Sequence, residues 1–165
     1  MLGRGRGVVT DEPPFAKASL ERRDWMSVLA KADPAAVAEA WCRFAPPPYV
    51  ALRPPEAGLV LVRGRMGGLG DAFNLGEMTV TRAAVRLDSG ETGLSYVAGR
   101  DRAHAEIAAV LDAMLQSERH REDVEREVIA PLKLAMEARR DAESRKAATT
   151  RVDFFTMVRD REPSK

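Results

Sequence analysis

The chain has 165 residues, 45% hydrophobic and 31% charged, with a formal net charge of +1. That length fits one domain with a proper core, and the near-neutral balance gives no global field to draw in nucleic acid or an anionic membrane. A single cysteine, Cys42, excludes an internal disulfide and suits a reducing compartment, while no apolar run approaches the roughly 18 residues a spanning helix needs.

In chain order, residues 1–18 read as a loose tail. They carry glycines, the Pro13-Pro14 pair and alternating charge without apolar periodicity. The basic start MLGRGRGVV is followed by no long apolar region, so no secretory signal is expected and the cytoplasm is the expected compartment. Ser19 is a good N-cap for a first helix that places Trp25, Val28 and Leu29 on one face. Asp33-Pro34 reads as N-cap and first position of a second helix, stopped by Pro46-Pro47-Pro48.

The middle of the chain changes period. Residues 49–52 suggest a short strand cut off by Pro54-Pro55. Residues 59–65 suggest a better one, whose consecutive Leu59, Val60, Leu61 and Val62 predict cover on both faces. Gly67 to Asp71 form a loop, residues 77–87 a long strand rich in β-branched side chains, and residues 88–93 a hairpin turn into a return strand over 94–98. Asp101 caps a helix to about Ser117, with Ile107, Val110, Leu111, Met114 and Leu115 as its apolar stripe. A charged helix over about 122–148 should kink near Ala130, ahead of Pro131. The fold class is therefore α+β: an N-terminal helical hairpin, an antiparallel sheet of three or four strands, and long C-terminal helices. Residues 19–148 form the one domain, and residues 149–165 an apolar docking tail.

Residues 58–87 carry the first candidate site. Gly64, Gly67, Gly68 and Gly70 offer backbone N–H groups that suit a phosphate nest. Arg63 and Arg65 sit beside them, and Arg82 and Arg86 share one face of the next strand. Guanidinium groups match phosphate and phosphonate oxygens bidentately. The loop lacks the GK[ST] of a P-loop and does not clearly open a helix, so the plainer reading is a turn requiring positive φ beside interface or surface ion pairs. His104, in the first turn of its helix, suits a general acid or base, or a ligand completed by another chain. A hydrogen bond at a helix start capped by Asp101 is the plainer alternative. Cys42 reads as a buried structural thiol beside Trp41, and Glu125/Glu127 and Glu137/Asp141 as solvated helix faces. No metal site is expected. The tail RVDFFTMVR gathers Val152, Phe154, Phe155, Met157 and Val158 after a very polar helix. It suits a strand added to a sheet edge, a helix in a groove, or a return onto the chain's own core.

Taken in order, the blocks DWMSVLA, GLVLVRGRMGG, FNLGEMTVTRAAVRL, LSYVAGRDRAHAE, VIAPL and RVDFFTMVR resemble the PhnG family, the G subunits of the bacterial carbon–phosphorus lyase system. The resemblance runs over about residues 20–159. It implies a non-autonomous subunit of a core complex with the H, I and J subunits, two copies of each, closest to the I subunit and functionally linked to the L protein. It implies a part in the step where a phosphonate displaces adenine from MgATP, which yields α-D-ribose 1-methylphosphonate 5-triphosphate. MgATP is then a substrate of the assembled complex, and this chain alone is expected to bind no cofactor. No catalytic residue carries over. The resemblance favours contact of the tail with another subunit. Two rival readings stand beside it. One is a free-standing nucleotide- or phosphate-binding enzyme built on the loop from Gly64 to Gly70 and His104. The other is a small nucleic-acid-binding protein, disfavoured by an aromatic content of 5%.

Overall fold

Two helices precede a three-stranded antiparallel sheet, and helices again close the computed structural model, which describes residues 14–66 and 70–149. The elements are α1 (Pro14–Lys31), α2 (Pro34–Trp41), β1 (Tyr49–Arg65), β2 (Ala72–Leu87), β3 (Thr92–Ala98), α3 (Arg102–Gln116), α4 (Arg121–Val124), a π-helical turn (Glu125–Ile129) and α5 (Ala130–Thr149). The strand order is β1-β2-β3, which makes the class α+β as expected. No described helix is long and apolar enough to cross a membrane.

Local chemistry explains where the helices begin. Asp33 caps α2 by accepting from the backbone N–H groups of Ala35 (2.8 Å) and Ala36 (3.4 Å), with Pro34 at the first helical position. Asp101 Oδ1 accepts from the His104 N–H (2.9 Å) and starts α3. Ser19 does not cap α1, which already begins at Pro14. A proline suits that place because its fixed φ is helical and its missing N–H would have had no partner there.

The strands correct the sequence reading in one respect. β1 is not cut at Pro54-Pro55 but runs unbroken from Tyr49 to Arg65, with register shifts between Ala51 and Arg53, between Arg53 and Glu56, and between Val62 and Arg63. Proline is tolerated there because β1 is the edge strand and the shifts relieve the ladder of the missing donors. β2 likewise starts at Ala72, five residues before the expected Glu77. The two strands therefore make a hairpin far longer than β3, which pairs only from Val80 to Arg86.

The core lies between one face of the sheet and α3. Thr81, Ala83, Val85 and Leu87 alternate inward along β2, joined by Ser95 and Val97 of β3. Val110, Leu111, Met114 and Leu115 of α3 cover them, and Trp25, Val28 and Leu29 of α1 and Val37 of α2 complete the packing. The alanines of α3 let the helix come very close. A Cβ at Gly93 would stand 1.9 Å from the Ala109 carbonyl oxygen and 2.6 Å from the Ala113 nitrogen, so glycine is required at that crossing. At the C-terminal end the expected irregularity before Pro131 is a π turn, in which the Ala130 N–H reaches back to the Glu125 carbonyl. The widened turn absorbs the bond and the space that the proline ring denies to an α-helix.

Candidate functional site

Beyond Thr79 the β1–β2 hairpin leaves β3 behind and continues as a two-stranded ribbon, with Leu59 opposite Thr79, Leu61 opposite Glu77, Val62 opposite Gly76 and Gly64 opposite Phe73. Leu59, Leu61, Leu75 and Met66 are 64%, 64%, 66% and 78% exposed, and Phe73 and Met78 are exposed as well. The cover expected on both faces of residues 59–62 is thus not supplied by the described residues of this chain. The reason is geometric: α3 spans only the part of the sheet that β3 shares, and the ribbon projects past both. Gly67 and Gly68 lie outside the described residues.

The same register separates the four arginines. Arg82 faces Glu56 and Arg86 faces Val50, while Arg63 sits opposite Asn74. Eight residues of β2 separate Asn74 from Arg82, about 26 Å of strand. One ligand the size of a triphosphate does not bridge the two pairs. Arg82 Nε donates to Glu56 Oε1 (2.9 Å), an oxygen that also lies 3.4 Å from Arg53 Nη1. Arg65 donates to the Gly70 carbonyl (3.3 Å). Arg63 and Arg86 are exposed and form no ion pair among the described residues.

His104 is buried in the core at the start of α3. Its Nε2–H donates to the Leu29 carbonyl (2.8 Å), and Nδ1 has no hydrogen-bond partner among the described residues. A carbonyl only accepts, so Nε2 carries a proton here, and the bond ties α3 to α1 across the chain, whereas the helix-start bond weighed above is made by the His104 backbone N–H. Cys42 departs from its reading. It is exposed, because α2 ends at Trp41 and the C-cap residue turns outward while Val37 and Ala40 face the core. Val152, Phe154, Phe155, Met157 and Val158 lie outside the described residues.

Two features escape a reading by sequence pattern. The first is Asp112, fully buried within the apolar stripe of α3. It accepts from Arg22 Nη2 (2.7 Å), Arg22 Nε (3.2 Å), Trp25 Nε1 (2.9 Å) and the Leu94 N–H (2.9 Å). Arg22 and Gln116 also donate to the Thr92 carbonyl. These bonds satisfy the outer edge of β3 and fasten α1, β3 and α3 together. A carboxylate interrupting the run VLDAML was the available signal, but its partners are about 90 residues away in sequence. The second is a groove of about 960 Å³ between α1 and the π turn and α5, floored by Trp25, Val28, Ile129 and Met136. Arg121 lies 5.4 Å from the Trp25 ring centre and donates to Glu21 (2.6 Å) and Glu125 (2.9 Å). Those bonds, Glu21's first, raise its pKa further above the ordinary arginine value. Cations and carboxylates alternate along the rim, so the groove has no net preference for an anion. Among the described residues no three side chains gather as a metal site.

An inward polar network and an outward apolar ribbon give this domain the build of a component that docks on another protein. Comparison with known proteins agrees. The family model described as phosphonate metabolism protein PhnG matches residues 20–160. A protein of Rhizobium meliloti (strain 1021), the PhnG subunit of α-D-ribose 1-methylphosphonate 5-triphosphate synthase, is 49% identical over 144 residues, which cover 84% of this chain and 89% of that protein. The chain belongs to the PhnG family.

Proposed function

We propose that this chain is a non-autonomous subunit of α-D-ribose 1-methylphosphonate 5-triphosphate synthase, acting in phosphonate breakdown within the carbon–phosphorus lyase core complex. The observation that carries this reading is the likeness to the synthase subunit over nearly the whole of both chains. In the reaction a phosphonate oxygen bonds to C1′ of the ribose of MgATP. The bond from C1′ to adenine breaks, and adenine leaves with the electron pair and takes up a proton.

The chain's own part is to hold the I subunit, with H and J in the same complex, two copies of each, and the L protein linked in function. MgATP is bound by the assembly. The open outer face of the sheet, with Arg82 and Arg86, is where an anion contact with substrate would fall, and Arg86 is exposed and without an ion pair among the described residues.

Size-exclusion chromatography of the chain alone and co-expressed with the I subunit tests this. A stable heteromer is expected, and adenine release from MgATP and methylphosphonate only when the other subunits are present. A monodisperse chain that releases adenine by itself would sink the non-autonomous role. Unchanged activity of the complex carrying Arg82→Ala and Arg86→Ala would remove the anion contact.

A further inference from the structure

We infer that the far half of the β1–β2 hairpin, residues 58–66 and 70–79, is an insertion arm that enters a cleft, apolar on both walls, in a non-identical partner subunit. This rests on the reading of the chain as a synthase subunit.

The alternation of side chains along a strand divides the arm into two faces. Leu59 and Leu61 lie on one, opposite Thr79 and Glu77. Val60, Val62 and Met78 lie on the other. There Phe73 and Leu75 close over Gly64, whose missing Cβ would sit 3.8 and 3.9 Å from their side-chain atoms. Val60 and Val62 are half-buried, but each face keeps exposed apolar side chains, Leu59 and Leu61 on one and Phe73, Leu75 and Met78 on the other. A two-stranded ribbon without a third strand or a covering helix is only marginally stable in water. The described residues of this chain do not meet its burial requirement.

Two-sidedness selects the occupant. Two copies stacked about a two-fold axis would cover one face of each arm and leave the other bare. A cleft covers both at once. Charge selects no sign: Arg63 and Arg65 are matched in number by Asp71 and Glu77, all four exposed and without an ion pair among the described residues, so it is apolar cover rather than counter-charge that the cleft supplies. Among the described residues both strand edges of the arm are unpaired beyond Thr79, so backbone pairing with a partner strand is available there.

The test uses the full chain co-expressed with the other synthase subunits. Hydrogen exchange is followed at residues 58–66 and 70–79 in the free chain and in the complex, and the double variant Leu61→Asp, Met78→Asp is carried through the same assembly. The arm amides are expected to exchange at least about tenfold more slowly in the complex. The double variant should keep the melting temperature of the free chain, because neither residue belongs to the core, and should assemble about 100-fold more weakly. Equal exchange in the two states, or normal assembly of the double variant, overturns the arm while leaving the subunit reading intact. Protection of the arm in a dimer of the free chain makes a second copy the occupant and also overturns it. Failure of the wild-type chain to assemble with those subunits overturns both readings. The exchange measurement on wild-type protein decides the question even where the variant does not fold.

Discussion

In the near half of the β1–β2 hairpin, Val85 and Leu87 are sealed beneath α3, whereas in the far half of the same two strands Leu61 and Leu75 stand open to solvent. The two halves share strand propensity, pairing and a high content of branched apolar residues. What differs is cover. The near half has β3 beside it and α3 across it, and the far half has neither. Stability of the isolated domain therefore resides in the near half, and the far half contributes to it almost nothing until something else packs on it.

The sharpest way to break the near half is Gly93→Ala. The new methyl would meet the Ala109 carbonyl at 1.9 Å, and prising α3 off β3 should cost more than about 4 kcal/mol. Loss of soluble, cooperatively melting protein is the expected result, and a variant melting like wild type would mean that α3 does not sit where it is described. Asp112→Ala comes next. It strands Arg22, the Trp25 indole and the Leu94 N–H at once, and breaking a buried pair from one side costs about 3–5 kcal/mol. Urea unfolding of this variant measures the loss directly. A matched pair then contrasts the halves: Leu111→Ala should cost about 2–5 kcal/mol, and Leu61→Ala, in the free chain, less than about 0.5 kcal/mol. Equal losses would erase the distinction drawn here.

The smallest effect is one of pH. Burial first, and then the hydrogen bond and negative charge of Glu106, push the Tyr49 hydroxyl above its ordinary value. Folding favours the neutral phenol, so the contribution is whole below the unfolded pKa of about 10 and is lost as pH rises through the higher folded value. Stability of the wild type should fall in that alkaline range, and Tyr49→Phe should make the fall shallower.

Much of the near half was legible in the sequence. Asp33-Pro34, Asp101 and the stripe Val110, Leu111, Met114 and Leu115 are local signals, and the structure uses them as the periodicity predicts. The continuous apolar run at residues 59–62 predicted cover on both faces, which the described residues do not supply, because an apolar run signals burial only if the rest of the fold reaches it. Strand continuity through Pro54-Pro55 was missed because a proline's effect depends on whether its strand lies at an edge, which is a property of the whole sheet. The separation of Arg63 from Arg82 follows from pairing register, and the Asp112 network from contacts about 90 residues apart. Neither is encoded in local spacing.

Pro54 and Pro55 have a consequence for what can add to the sheet. They place two residues without N–H donors on the outer edge of β1, and on the opposite flank Asp112, Arg22 and Gln116 already occupy the exposed groups of Leu94 and Thr92. Strand-to-strand growth is thereby discouraged along the near sheet and left open at the far end, where Leu59 and Leu61 are bare. The described sheet thus guards its edges only where it is already covered.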